Sequence, residues 1–349
     1  MKIQKHCVGI DISKSTFTAC ICSEFENQDL RFSEVKTYSN DKIGFNQLNR
    51  WVRKLVKDSA PMVYLMEATG VYYENLAYHL FKIKKVLHVV LANKSKHYFA
   101  SLNIKTKTDE MDAKVLSQFG VERKHTPWAP PKEVYLKLRN LTRYHLQLQD
   151  QKINLLNIQH AKNEAHETQS FILKSNKKLI KVIEKQILEC KKEIQEVINS
   201  ETELSEKVEK LVEIKGVGIL TIATVIAETQ GFEHFKSVKQ LVSYTGLDVV
   251  QRESGTSIKG KTRISKKGNK YIPRALYMPS IVACRYNENL RITYMNIITR
   301  KPSKMIGVVA IQRKLLILIY TLWNKNEHYI DGYKTKVAPE QAEATRDNS

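Results

Sequence analysis

The run NIKTKTDEMDAKVLSQFG, residues 103–120, decides how this chain is read. Where a basic polar stretch gives way to apolar residues at helical spacing, it places two carboxylates, Asp109 and Asp112, three positions apart. Residues three apart on a helix share a face. Capping accounts for one of them, with Thr108 or Asp109 as the N-cap, because acidic groups in a first turn meet the positive end of the helix dipole. Two carboxylates aimed one way in a basic protein need a further reason. A third and a fourth, brought to the same place by other segments, would supply it.

The composition shows how basic the setting is. The 349 residues include 57 Lys+Arg against 36 Asp+Glu, a net charge of +21, and the pI is near 9.6. That excess exceeds what solubility requires and points to a polyanionic partner, nucleic acid before membrane. Cys7, Cys20, Cys22, Cys190 and Cys284 include no C-x-x-C pair, so neither a zinc site nor a disulfide framework is expected. They read as reduced thiols of a cytoplasmic protein. No apolar run approaches the roughly 18 residues that span a bilayer, and the N-terminus does not read as a signal peptide, so no membrane partner is expected.

Four parts follow along the chain. Residues 1–128 alternate strand and helix patterns. CVGIDIS, FTACICS and LRFSEVKTYS read as a three-strand meander; IGFNQLNRWVRKLV is a helix, MVYLMEA a buried strand, YYENLAYHLFKI a helix and VLHVVLAN a strand, before the helix from about Asp109. Three antiparallel strands, then helix, strand, helix, strand, helix, is the order of an α/β ribonuclease-H-like domain. Residues 129–210 form a helical coiled-coil spacer or oligomerisation arm. From 132 to 215 there is neither Gly nor Pro, and the apolar spacing gives two long helices breaking near 168–175. Residues 211–335 form a mainly α C-terminal part. It opens on KGVGILTIATVIAE, whose Gly216 and Gly218 make the Gly-x-Gly turn of a helix-hairpin-helix-like unit, suited to backbone contact with DNA phosphate or simply to a tight bend. It ends in VVAIQRKLLILIYTLW, a buried helix. The tail, 336–349, reads as disordered.

The acidic residues can now be placed. Asp11 lies within or just after the first strand and Glu67 ends the fourth, while Asp109 and Asp112 open the last helix. In a ribonuclease-H-like sheet the first and fourth strands are neighbours and the last helix crosses their ends. The four carboxylates then converge, an arrangement whose mutual repulsion requires divalent cations. An all-oxygen donor set suits Mg²⁺ or Mn²⁺. Two such ions about 4 Å apart stabilise the attacking and leaving oxygens of phosphoryl transfer.

The blocks GIDISK, EATGVY and KTDEMDA resemble the three signatures of the DEDD transposases, the recombinases of insertion sequences and the related pilin-gene invertases. GVGILTIATVIAE, LVSYTGL, ESGTSIKGKTRISKKGNKYIPRALY and VVAIQRKLLILIY are similar to that family's C-terminal transposase domain. The resemblance covers nearly the whole chain in order, with all four acidic positions intact. It implies a RuvC-like N-terminal domain and a C-terminal domain whose serine attacks DNA phosphate, leaving a covalent phosphoserine link. It also implies a homodimer or homotetramer, donor and target DNA as substrates, and guidance by a structured RNA encoded in the mobile element. Ser254, before Gly in ESGTS, matches best; Ser257 is second and Ser265 third.

The residues around Ser254 agree with an anionic partner. Arg252, Lys259, Lys261, Arg263, Lys266, Lys267, Lys270 and Arg274 stand against the single acid Glu253, with Gly and Ser interleaved so that backbone can approach a phosphate chain. Cations beside a hydroxyl stabilise charge developing on phosphoryl oxygens. Two other classes remain: a metal-dependent, junction-resolvase-like endonuclease that uses water with Ser254 merely structural, and a non-catalytic nucleic-acid-binding protein.

Overall fold

The computed structural model describes residues 2–251, 253–254, 258–260, 262–301 and 303–331. The described residues fall into two compact units, divided between Pro130 and Pro131. The expected disordered tail, 336–349, lies outside the described residues.

The first unit opens with β1 (Ile3–Ile12), β2 (Thr16–Phe25), β3 (Leu30–Phe32) and β4 (Lys36–Ser39). It continues with α1 (Lys42–Leu55), β5 (Met62–Glu67), α2 (Glu74–Lys82), β6 (Leu87–Val90), α3 (Ala92–Ser101) and α4 (Asp109–Glu122). The sheet order is β3-β2-β1-β5-β6, with β4 also on β2. β1 and β2 are antiparallel; β1, β5 and β6 are parallel. With β3 and β4 counted as one interrupted strand, this is the ribonuclease-H-like order. Side chains alternate across the sheet. Tyr64 and Met66 of β5 enter a core with α1 and α2, whereas Val63 and Leu65 enter a second core with α3 and α4. Two features depart from expectation. The third strand is split, and α3 begins within the stretch read as the last strand and runs through residues to which no element was assigned.

The second unit holds α5 (Glu133–Glu164), α6 (Ser170–Asn199), α7 (Thr202–Val212), α8 (Ile219–Thr229) and α9 (Val238–Tyr244). Four short strands follow: β7 (Val249–Val250), β8 (Glu253–Ser254), β9 (Ile258–Lys259) and β10 (Arg263–Ile264). Then come α10 (Tyr271–Tyr286), α11 (Glu288–Ile298) and α12 (Lys304–Lys325). α5 and α6 form an antiparallel hairpin. Asn176 donates to the Leu155 carbonyl at 2.9 Å, Lys152 pairs with Glu184 at 2.8 Å, and Cys190 reaches the Leu141 carbonyl at 3.4 Å. Partner numbers fall on one helix as they rise on the other. The break lies at 165–169, before the expected 168–175, and a further break at Ser200 and Glu201 starts α7. One apolar core runs from Val134 of α5 to Trp323 of α12.

α12 corrects the reading of apolar length. Its 22 residues are long and apolar enough to cross a membrane; the polar triplet Gln312, Arg313 and Lys314 hid the run. Ile311, Leu315, Leu316 and Ile319 are nevertheless fully buried along one face. Burial of each such side chain is worth about 1.5–3 kcal/mol. This is a core helix.

Candidate functional site

The site begins with a seam of small residues. On β1, Cys7, Gly9 and Asp11 point to the α4 side of the sheet, because alternate residues share a face. A Cβ built on Gly9 would lie 2.1 Å from the Ser117 amide nitrogen and 2.4 Å from the Ala113 carbonyl oxygen. One built on Gly120 would lie 2.1 Å from the Cys7 sulfur. No side chain fits at either place: at Gly9 backbone packs on backbone, and at Gly120 the Cys7 side chain packs on the helix backbone. α4 thus lies directly on β1, and its first turn comes to the end of the strand where Asp11 stands.

The sheet register supplies the fourth carboxylate. Ile10 of β1 pairs with Met66 of β5; the next residues are Asp11 and Glu67. Thr108 caps α4 by accepting from the Met111 amide at 3.2 Å. Capping therefore does not account for Asp109. The charges of Asp109 and Glu67 reach both Asp11 and Asp112. Burial first, then the carboxylates of Asp112, Asp109 and Glu67, push the Asp11 carboxyl up to about 6. Asp112 is raised by burial and, against the lowering effect of Lys107, by Asp109 and Glu67.

Two contacts show how the cluster is held. Glu67 accepts from the fully buried Ser95 hydroxyl of α3 at 2.5 Å. Ser95 is the positioning residue that sequence reasoning missed, since a lone serine in the polar stretch ANKSKHYFAS carries no signal. Asp112 has one buried oxygen, Oδ1, with no hydrogen-bond partner among the described residues. Also among the described residues, no three His, Cys, Asp or Glu side chains form a ready-made metal cage. The donor set nevertheless fits a hard divalent cation: it is all carboxylate oxygen, mutually repelling, and one oxygen is left without a partner.

The basic segment is an antiparallel ribbon. Val249 pairs with Ile264 and Val250 with Arg263; beyond them Glu253 pairs with Lys259 and Ser254 with Ile258. Ser254 is thus the last described residue before the connection at 255–257. Arg252, Ser257 and Lys261 lie outside the described residues, and Ser254 and Lys259 are described by backbone alone. Arg263, Lys266, Lys267 and Lys270 are exposed. Arg274 is committed to a bidentate pair with Asp150. The Ser265 hydroxyl donates to Asp248, which gives it a holding role at the foot of the ribbon. Gly216, with φ +87°, turns the chain between α7 and α8, and Gly218 is the N-cap of α8.

Comparison with known proteins agrees in both units. A transposase family model of the DEDD IS110 type matches residues 8–161, and one described as "Transposase IS116/IS110/IS902 family" matches 208–295. The chain is similar to the pilin gene-inverting proteins of Moraxella bovis and Moraxella lacunata. Each is 28% identical over 330 residues, which cover 94% of this chain and 98% of theirs. Among solved structures, Thermus thermophilus RuvC is matched at TM-score 0.28 with 11% identity, over 35% of this chain and 99% of that one. Between them the two family models take in the acidic cluster and the serine ribbon, and the chain belongs to the IS110 family of DEDD transposases, enzymes that recombine DNA.

Proposed function

We propose that this transposase cuts and rejoins DNA at a composite site: Asp11, Glu67, Asp109 and Asp112 as metal ligands, and Ser254 as nucleophile. The supporting observation is that β1, β5 and α4 bring four carboxylates to one sheet end, close enough for three of them to raise the fourth. Bound there, Mg²⁺ or Mn²⁺ supplies charge stabilisation at the oxygens entering and leaving phosphorus. Ser254 forms the new Oγ–P bond while a P–O bond of the DNA backbone breaks. The hydroxyl proton passes to the departing sugar oxygen, and the strand is held as a phosphoserine ester. Reversal onto another strand end rejoins the DNA without external energy, because one phosphodiester replaces another. The exposed cations Arg263, Lys266, Lys267 and Lys270 hold the phosphate chain alongside.

We further propose an assembly of two or four protomers, donor and target DNA as the substrates, and a structured element-encoded RNA as guide. The charge of +21 supports a second polyanion beside DNA. The role that the relatives' names give them, inverting a pilin gene, is consistent with strand exchange rather than simple cutting.

Trapping the covalent intermediate tests the reading. Wild-type protein with Mg²⁺ should give a protein–DNA band that survives denaturation, and Ser254→Ala should bind DNA but give none. Free cut ends with no adduct, together with cutting by Ser254→Ala, would mean hydrolysis by water. An adduct lost in Ser257→Ala instead moves the nucleophile three residues along. Structured RNA that copurifies with active protein, and activity lost on ribonuclease treatment, would support guidance.

A further inference from the structure

Glu228 is the one Asp or Glu buried among the described residues, its side chain 1% exposed on the apolar helix α8. A buried carboxylate is costly unless several donors meet it. Three do. Arg143 of α5 grips it with both arms of the guanidinium, Nε to Oε1 at 2.6 Å and Nη2 to Oε2 at 2.8 Å. Asn269 Nδ2 donates to Oε2 at 2.6 Å. The same Arg143 lies over the Tyr271 ring, 4.3 Å from its centre.

Both feet of the basic ribbon meet at this residue. On the entering side, the Tyr244 hydroxyl at the end of α9 donates to the Glu228 backbone carbonyl at 2.9 Å. On the leaving side stands Asn269, whose side-chain oxygen also accepts from the Tyr271 and Ile272 amides at the start of α10. The feet are tied to each other as well. Asn269 N–H donates to the Tyr244 carbonyl at 2.7 Å, Lys266 N–H to Gly246 at 3.0 Å and Ser265 N–H to Asp248 at 2.9 Å. Gly268, at φ +155°, allows this closeness, since a Cβ there would lie 2.2 Å from the Tyr244 carbonyl oxygen.

Apolar side chains would hold α8 against α5 at least as well as this ion pair. They would not fix an angle. A bidentate fork and an amide donor on the carboxylate, with the Tyr244 hydroxyl on the backbone carbonyl, fix three elements at once: the arm helix, the leaving foot and the entering foot. We propose that Glu228 is a positioning residue for strand cleavage: with Arg143 and Asn269 it sets the direction in which the ribbon carries its serine from the base formed by α5 and α8. Glu228 touches no substrate in this scheme. The inference rests on the reading of Ser254 as the nucleophile, and its test is built to fail separately.

Two variants separate positioning from folding. Glu228→Gln keeps the shape but leaves Arg143 without a counter-charge. Asn269→Ser keeps an acceptor for the Tyr271 and Ile272 amides and removes the donor that Glu228 and the Tyr244 hydroxyl share, so it preserves the buried Arg143–Glu228 pair even if Glu228→Gln does not fold. In Asn269→Ser, DNA affinity should stay within twofold of wild type, while strand cleavage at saturating DNA slows at least tenfold. Amide hydrogen exchange over 263–269 should quicken, with exchange in α5 and α12 unchanged. Restoring the donor with Asn269→Gln should recover part of the rate. Cleavage within twofold of wild type overturns the proposal, as does an affinity loss as large as the rate loss, or unchanged exchange at the feet. If Ser254→Ala still forms the adduct, the serine reading falls alone; the cleavage rate and exchange pattern of Asn269→Ser still decide the clamp.

Discussion

The Lys107 ammonium stands 4.0 Å from Oδ2 of Asp112, while Oδ1 of the same carboxylate is buried and meets no donor among the described residues. Lys107 is 85% exposed, and a pair so open to water is worth little. The partnerless oxygen is the informative one, because under the proposed function a divalent cation arriving from solution would satisfy it. Mg²⁺ at 100 times its dissociation constant should stabilise the protein by about 2.7 kcal/mol. Thermal unfolding with and without Mg²⁺ checks this. Alanine at Asp11, Glu67, Asp109 or Asp112 should remove most of that shift and abolish recombination, with the metal-free fold intact. A full Mg²⁺ shift in Asp112→Ala would count against the site.

Acid should act on the metal-free protein in an unusual direction at Asp11. Its carboxyl is raised from 3.8 to about 6 in the fold. A raised folded value means that its contribution to stability is fully present below about pH 4 and is lost as pH rises through 6. Asp11→Asn, which cannot ionise, should therefore exceed wild type in stability above pH 6 by on the order of 1 kcal/mol, allowing for solvent screening. The gap should close by pH 4. Denaturant midpoints in a chelator across this range measure it, and a gap independent of pH would refute the crowding of charge.

Gly9→Ala should disable the site without touching a carboxylate. The added methyl meets the backbone of Ala113 and Ser117, neither of which is the end of a flexible side chain. Overpacking of this kind costs about 3 kcal/mol, and relief requires α4 to move off β1. Stability should fall by that amount, and the Mg²⁺-induced stabilisation should shrink with it. Retention of both would show that α4 can shift without consequence for the acids.

Neutralising Lys266, Lys267 and Lys270 together should flatten the salt dependence of DNA binding. Each phosphate that the protein no longer neutralises lowers the slope of log K against log[salt] by roughly 0.9 on duplex DNA, so three lower it by up to roughly 2.7. Titrations at several salt concentrations measure the slope. An unchanged slope would mean that these exposed cations face away from the backbone.

The acidic cluster was legible in the sequence because its logic is periodic. Asp11 and Glu67 end apolar strand runs, and Asp109 and Asp112 open a helix, so strand order alone brings them together. Ser95 was not legible, because its importance comes from Glu67, 28 positions away in sequence. α3 was missed for a related reason: with only Ser95 and Tyr98 buried, it shows no apolar stripe. The split of β3 from β4 and the start of α7 at Thr202 carry neither Gly nor Pro. The Glu228 hub joins Arg143, Tyr244 and Asn269 across more than a hundred positions, and no local pattern announces it.

The α5–α6 hairpin has a further consequence. Beyond Leu148 and Ile187 its interior is sparse, and it holds a buried polar contact: Asn176 donates to Gln159 at 3.1 Å, both buried. Sliding one helix past the other by a turn would break the Asn176 bonds to Gln159 and to the Leu155 carbonyl, at about 1–3 kcal/mol for each buried group left unpaired. The hairpin therefore has a single register. At 1.5 Å per residue, its 32- and 30-residue helices measure about 48 and 45 Å. It is a ruler of fixed length, and removing seven residues from each helix as a matched pair would shorten it by about 10 Å, leaving its base as it stands.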